Sequence, residues 1–254
     1  MPSRPRIDFA GYHHIINRGV NRCDVFNQDY DKDTFLAILN KTAIIHKVIL
    51  HDYVLMDNHY HLLIETTQEN LSSFMRIVNS NYAQYFNKRY KRSGHLWQDR
   101  YKSKYITSED YLYTLIKYIE YNPVEAKISL HVGEYFYTLA YAIFNAKNYY
   151  PCTNGSLLIK EFDIKTLSEF LNKAMTDKEL EYLQTKQKEK IEVVDNTLHV
   201  GNEKPFEEHF YDIKTKIDRN FAIMNAFLDG YTQASIAAYL NLSKSLVSKL
   251  VKKV

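Results

Sequence analysis

The sequence predicts an α+β domain, an antiparallel or mixed sheet with helices packed on one face, followed by an all-α C-terminal region ending in a helix-turn-helix. Three observations predict it. Segments rich in β-branched and alternating residues at 11–17, 48–56 and 59–65 are interleaved with segments of helical period at 29–47 and 71–90. Only Asp57 and Asn58 separate the second and third strand segments, a turn that joins antiparallel neighbours. From residue 211 onward, apolar positions recur at helical spacing around breaks at Gly230 and Asn241-Leu242.

The first strand is GYHHIIN. His13 and His14 are adjacent in it, so they point to opposite faces and are expected to serve as packing residues. A polar turn follows, with Arg18 and Arg22 as donors. The helix over 29–47 takes Asp29 or Asp31 as its cap and buries Phe35, Leu36, Leu39, Ala43 and Ile44.

In the strand HYHLLIE, His59, His61, Leu63 and Glu65 share one face. Its two imidazoles stand about 7 Å apart at the backbone, which lets two ring nitrogens converge on one metal ion; the alternative is a half-solvated strand that happens to show two histidines. Glu65 is expected either to orient a ligand imidazole or to face solvent. Beyond it, the helix over 71–90 presents Phe74, Ile77, Val78, Ala83 and Phe86 as its apolar side.

From residue 88 to 104, the cations Lys88, Arg89, Lys91, Arg92, Arg100, Lys102 and Lys104 face one acid, Asp99. Tyr90, Trp97, Tyr101 and Tyr105 lie among them. Cations for phosphates and rings for bases are what a single-stranded nucleic-acid groove requires; the alternative is a solvated helix end beside core rings. A further helix opens at Thr107 and is expected to stop at Pro123. Leu112, Leu115, Ile116 and Ile119 form its buried stripe, with Thr114, Lys117 and Tyr121 on the outer side. Tyr118 and Asn122, four apart, can look into the same cleft, though in so tyrosine-rich a chain core or surface packing is the alternative.

Thirty-three basic against 30 acidic residues give a net charge of +3, which permits nucleic-acid binding without requiring it. Cys23 and Cys152 carry no Cys-x-x-Cys spacing and read as reduced thiols. With no long apolar run and no apolar signal core, a cytoplasmic protein without a membrane span is expected. Domain boundaries are expected at 1–148, a solvated helical connector over 149–210, and a module over 211–254. In that module Ile236, Ala237, Leu240, Leu242, Val247 and Leu250 pack two helices across a tight turn. Ser243 caps the last helix, whose outer positions are Lys244, Ser245, Ser248, Lys249, Lys252 and Lys253. Such a helix can enter a duplex major groove through Ser245, Ser248 and Lys249; a hairpin for protein contacts is the alternative.

The segments MDNHYHLLIE, GHLWQDRYKS and YIEYNPVEA, in that order after YHHIINRGVNR, resemble the REP-associated tyrosine transposases, single-tyrosine members of the HUH endonuclease superfamily. The resemblance spans residues 7–145. It implies an HUH-type catalytic domain of ferredoxin-like or RRM-like fold. It also implies His59 and His61 as the metal-binding pair, Asn122 completing the site, Tyr118 as nucleophile, and Mg²⁺ or Mn²⁺ as cofactor. The implied partner is single-stranded or hairpin DNA such as a REP-like palindrome, cut through a 5′-phosphotyrosine by a nucleoid-associated bacterial monomer or homodimer. One departure stands out: Asp57 occupies the position where members of that family carry proline. A catalytically silent DNA-binding regulator on the same scaffold is the competing expectation.

Overall fold

Pairing of the histidine strand with both its neighbours organises the first part of the chain. The computed structural model describes residues 8–147, 149–173, 175–188, 191–194, 197–200, 206–211, 213–228 and 231–251. These fall into two units, Met1–Leu183 and Gln184–Val254. The first unit begins with β1 (Gly11–Arg18), α1 (Asp29–His46), β2 (Val48–Met56), β3 (His59–Thr66), α2 (Leu71–Arg89), β4 (Lys102–Tyr105) and α3 (Glu109–Glu125). Its four strands run in the order β2-β3-β1-β4 with every neighbour antiparallel. The α+β expectation and the tight β2–β3 hairpin are both met.

Register decides which side chains share a face, because residues directly opposite each other project to the same side. Arg18 lies opposite His59, Ile16 opposite His61, and His14 opposite Leu63. Across the other edge of β1, Lys102 lies opposite Ile16 and Lys104 opposite His14. This face takes α3, whose Leu112, Leu115, Ile116 and Ile119 are buried. The other face carries Tyr60, Leu62 and Ile64 under α1 and α2. There the Phe35 ring sits 4.8 Å from that of Tyr60, and Tyr60 Oη donates to Asn79 Oδ1 at 2.8 Å. Helices therefore cover both faces, not one. Alternation along a strand identifies two faces but does not say which helix each receives.

Local chemistry explains the helix ends. Gln28 caps α1 while the fully buried Asp31 accepts from the Asn27 and Gln28 amides, each at 3.0 Å. Tyr85 and Tyr90 of the α2 end donate to the same carboxylate at 2.8 and 2.6 Å, so this one acid ties the two helices together. In α3 the cap is Ser108, not Thr107; its Oγ accepts from the Tyr111 amide. The helix passes through Pro123 to Glu125. In the last turn the missing proline N–H costs little, and the Ala126 amide still closes onto the Asn122 carbonyl at 2.9 Å.

Beyond α3 come α4 (Leu139–Phe144), α5 (Leu157–Lys160), α6 (Ile164–Asn172) and α7 (Asp177–Lys188). The solvated connector expected over this stretch is corrected here. Leu158, Leu167, Leu171 and Leu183 are buried in the core of the first unit. Lys117 on the outer side of α3 is buried too, paired with Glu179 at 3.0 Å and lying over the Phe170 ring. The many charges of this stretch line one side of its helices, while leucines four apart line the other.

A carboxyl pair holds α3 to the sheet. Asp52 of β2 and Glu120 of α3 are both buried, and Glu120 Oε1 accepts from the Ala140 amide at 2.8 Å. The buried carboxyls of Asp52 and Glu120 meet each other in a side-chain hydrogen bond. A proton shared between the two facing carboxyls is what makes their joint burial tolerable. Burial, then the Glu120 charge, raises Asp52 well above the carboxylate range; burial pushes Glu120 up to about 7. The folded state thus holds a proton that the unfolded chain releases above about pH 4.3, and stability falls as pH rises from there through 7. Wild-type unfolding in urea is expected to lose on the order of 2 kcal/mol between pH 5 and pH 8. Glu120→Gln keeps the acceptor for Ala140 and donates toward Asp52, so it should lose less than half as much.

The second unit contains β5 (Ile191–Val194) and β6 (Thr197–Val200), an antiparallel pair, followed by α8 (Lys216–Leu228), α9 (Gln233–Tyr239) and α10 (Lys244–Val251). The C-terminal region is therefore not all-α: the β-branched runs IEVV and TLHV form a ribbon inside the stretch expected to be a helical connector. Ile223, Ala226, Ile236, Ala237 and Val247 are the buried centre of its three helices. Gly230, Lys252 and Lys253 lie outside the described residues.

Candidate active site

β3 places the rings of His59 and His61 5.2 Å apart, tilted by 76°. From the opposite side α3 brings the Tyr118 ring edge-on to His61, at 5.6 Å between centroids. Asn122, 8 % exposed and one turn further along α3, donates from Nδ2 to the Tyr118 carbonyl at 2.7 Å. The expected pairing of Tyr118 with the histidine face is thus present in the structure.

Whether these residues suit a divalent cation is tested by their other polar atoms. His59 Nδ1 donates to Asn58 Oδ1 at 2.6 Å, His61 Nδ1 bonds His14 Nε2 at 2.9 Å, and Asn122 Nδ2 is spent on its own helix. His59 Nε2, His61 Nε2 and Asn122 Oδ1 make no hydrogen bond among the described residues. Two imidazole nitrogens and one amide oxygen are a donor set that fits Mn²⁺ and, less comfortably, Mg²⁺. Among the described residues no group of three or more His, Cys, Asp or Glu gathers into a metal site, so the set depends on the carboxamide.

Electrostatics favour neutral rings here. Burial, then the neighbouring His14, His59 and Arg18 charges, hold His61 well below the ordinary histidine value. Burial and Arg18 bring His59 down to about 4, and burial brings His14 down to about 3. A neutral imidazole is the form that binds a metal. The Tyr118 phenol is raised by burial and then by Glu125, so its ionisation needs a cation close by.

Two expectations about the surroundings are corrected. Glu65 is on the histidine face, but it pairs with His51 Nε2 at 3.0 Å and not with a ligand imidazole. The residue that does bond one is His14, expected only to pack. Reading β1 alone sends His13 and His14 to opposite faces; the antiparallel pairing of β1 with β3 turns one of them onto His61. That pairing was the signal available. Asp57, the departure from the family turn, has its carboxylate held by the buried Lys32 at 2.8 Å.

The basic residues separate into groups. Arg18, exposed and opposite His59, shares the histidine face with Lys102 and Lys104 of the edge strand. Arg22 is exposed in the short helical turn Val20–Arg22, where its carbonyl accepts from Asn58 Nδ2. Lys88, Arg89, Lys91 and Arg92 instead cluster at the end of α2, in the layer behind the sheet. Arg89 there is engaged by Asp31 and by Gln28 Oε1 at 2.7 Å, and Arg92 lies over the Phe86 ring. Trp97 is no free platform beside the histidines. Its ring packs 5.6 Å from Tyr60 and 5.9 Å from Tyr82, and Nε1 donates to the Asn79 carbonyl. Arg100 is exposed in the adjoining loop, at a shallow groove against Asn79 and Ala83. Ser245 and Lys249 are exposed on α10 and Ser248 is half-buried, within the second unit.

The family described as transposase IS200-like matches residues 9–122. Among solved structures, a REP-associated tyrosine transposase bound to a REP hairpin is similar at 17 % identity and a TM-score of 0.47, covering 60 % of this chain and 90 % of that one. A protein of Deinococcus radiodurans R1 described as a transposase is similar at 22 % identity and a TM-score of 0.34, covering 47 % and 95 %. A tRNA(His) guanylyltransferase from Saccharomyces cerevisiae is similar at 10 % identity and a TM-score of 0.37, covering 85 % and 96 %. No curated protein matches the sequence. His14, His59, His61, Tyr118 and Asn122 all fall inside residues 9–122, the stretch over which the chain is similar to the transposase IS200-like family.

Proposed function

We propose that this chain is a metal-dependent single-strand DNA endonuclease and strand transferase that cuts hairpin-containing DNA through a covalent 5′-phosphotyrosine at Tyr118. The observation that carries the reading is the meeting of the Tyr118 ring with His61, beside ligand atoms left free on His59, His61 and Asn122. A bound Mg²⁺ or Mn²⁺ would supply Lewis acidity at the scissile phosphate. The remaining chemistry belongs to the chain. Arg18 neutralises phosphate charge next to His59, and Lys102 and Lys104 continue a positive row across the same face toward the sheet edge. Tyr118 Oη gives up its proton and bonds to phosphorus; the P–O3′ bond breaks, and the 3′ oxygen leaves as a hydroxyl after taking a proton. The phosphodiester energy is kept in the tyrosyl ester, so a second 3′-hydroxyl can reverse the step on another strand.

The three helices of the second unit support a helix-turn-helix that holds duplex DNA through Ser245, Ser248 and Lys249 of α10. REP-like palindromes are the hairpins we propose as substrate.

The test is to incubate the protein with end-labelled hairpin DNA and Mn²⁺ or Mg²⁺. The reading predicts an adduct that survives denaturing electrophoresis, together with a released 3′-hydroxyl end. Tight hairpin binding with no adduct under either ion would favour a silent regulator. Within the same reading, Arg18→Ala should weaken single-stranded DNA binding several-fold. It should also lower the slope of log affinity against log salt by about 0.7, measured by titration at several salt concentrations.

A further inference from the structure

The contact between His14 and His61 has no part in the chemistry above. His14 projects from β1 onto the histidine face, is buried, and stacks on His61 with ring centroids 5.2 Å apart and an interplanar angle of 19°. Its Nε2 lies 2.9 Å from His61 Nδ1. Two ring nitrogens at that distance must share one hydrogen, so one donates and the other accepts. Two arrangements satisfy the contact. With the hydrogen on His14 Nε2, His61 must carry its own proton on Nε2, pointing into the cleft. With the hydrogen on His61 Nδ1, the Nε2 lone pair of His61 faces the cleft instead.

His59 offers the precedent. Its Nδ1 meets the carboxamide oxygen of Asn58, which only accepts, so the His59 proton sits on Nδ1 and Nε2 is left as a lone pair. The Asn58 orientation is fixed by its own Nδ2, which donates to the Arg22 carbonyl.

We propose that His14 is a positioning residue: by accepting the Nδ1 hydrogen of His61 it holds that ring in the tautomer and orientation whose Nε2 lone pair faces the cation site. The two ligand imidazoles are then matched, each with Nδ1 anchored, one by a carboxamide and the other by a third imidazole. The inference rests on the proposed cation site.

Metal-free protein labelled with ¹⁵N should show His61 protonated on Nδ1 in long-range ¹H–¹⁵N correlation spectra. Titrated with Mn²⁺ alone and followed by electron paramagnetic resonance, His14→Leu should bind the ion about 10- to 100-fold more weakly than wild type. His14→Gln, which keeps an acceptor oxygen, should stay within about 3-fold. A proton on His61 Nε2 in the metal-free wild type would overturn the proposal. So would wild-type Mn²⁺ affinity in His14→Leu while His61→Ala loses the ion. Unchanged Mn²⁺ binding in both His59→Ala and His61→Ala would instead remove the cation site itself, and the role of His14 with it. Should His14→Leu fail to fold, the wild-type spectrum and the His14→Gln affinity decide.

Discussion

Replacing Tyr118 with phenylalanine is expected to abolish the covalent protein–DNA adduct, a loss of about 10³-fold or more in strand cleavage, while hairpin affinity stays within about 2-fold. Phenylalanine keeps the ring that meets His61 at 5.6 Å and His14 at 6.5 Å, so the packing of α3 on the sheet should survive. Only the oxygen that would bond to phosphorus is removed. The neighbouring tyrosine makes the test specific. Tyr121 lies three residues on, about 60° round the helix from Tyr118 on the side away from Asn122, and is 41 % exposed. Tyr121→Phe should therefore cleave as wild type does. Of the other tyrosines on the helix, Tyr113 is bonded to Glu161 and Tyr111 is buried. An adduct that persists in Tyr118→Phe, seen on a denaturing gel, would remove Tyr118 from the chemistry.

Much of this arrangement is legible in the chain because it is local. Period-two alternation puts His59 and His61 on one face, and the four-residue step puts Tyr118 and Asn122 on one flank, before any tertiary contact is known. What escapes is whatever depends on strand order or on distant packing. His14 meets His61 only because β1 sits beside β3, and Glu65 is claimed by His51 only because β2 lies on the other side. Lys117 and Thr114 read as solvent-facing, yet both are buried; Lys117 is covered by Phe170 and Glu179, more than fifty residues away in sequence. Trp97 illustrates the converse. Its position among cations suggests a stacking platform, but Tyr60 and Tyr82 present a larger apolar surface to the indole than a solvated groove does. The structure thus splits one basic stretch into a row beside the histidines and a cluster behind the sheet.

Removing either histidine of β3 should separate binding from cutting. His59→Ala and His61→Ala are each expected to bring cleavage to background, about 10³-fold down, and to weaken Mn²⁺ binding by about 10-fold or more. Hairpin affinity should fall by no more than about 3-fold, since Arg18, Lys102 and Lys104 are untouched and phosphate contacts dominate affinity. Chelating the metal from wild-type protein should reproduce both effects. The two variants should differ in stability. His59 is half-buried and bonds only Asn58, so alanine there removes little packing. His61 is 4 % exposed, and its loss opens a cavity beneath Tyr118 and leaves His14 Nε2 without its partner. His61→Ala should accordingly unfold more easily by about 2 kcal/mol, and His59→Ala by less than about 1, in urea titrations at one pH. Cleavage retained by either variant, with its metal affinity unchanged, would take that histidine out of the site. Equal losses of cleavage and hairpin binding would point instead to a collapsed DNA face, a result that leaves no separate catalytic part for the pair.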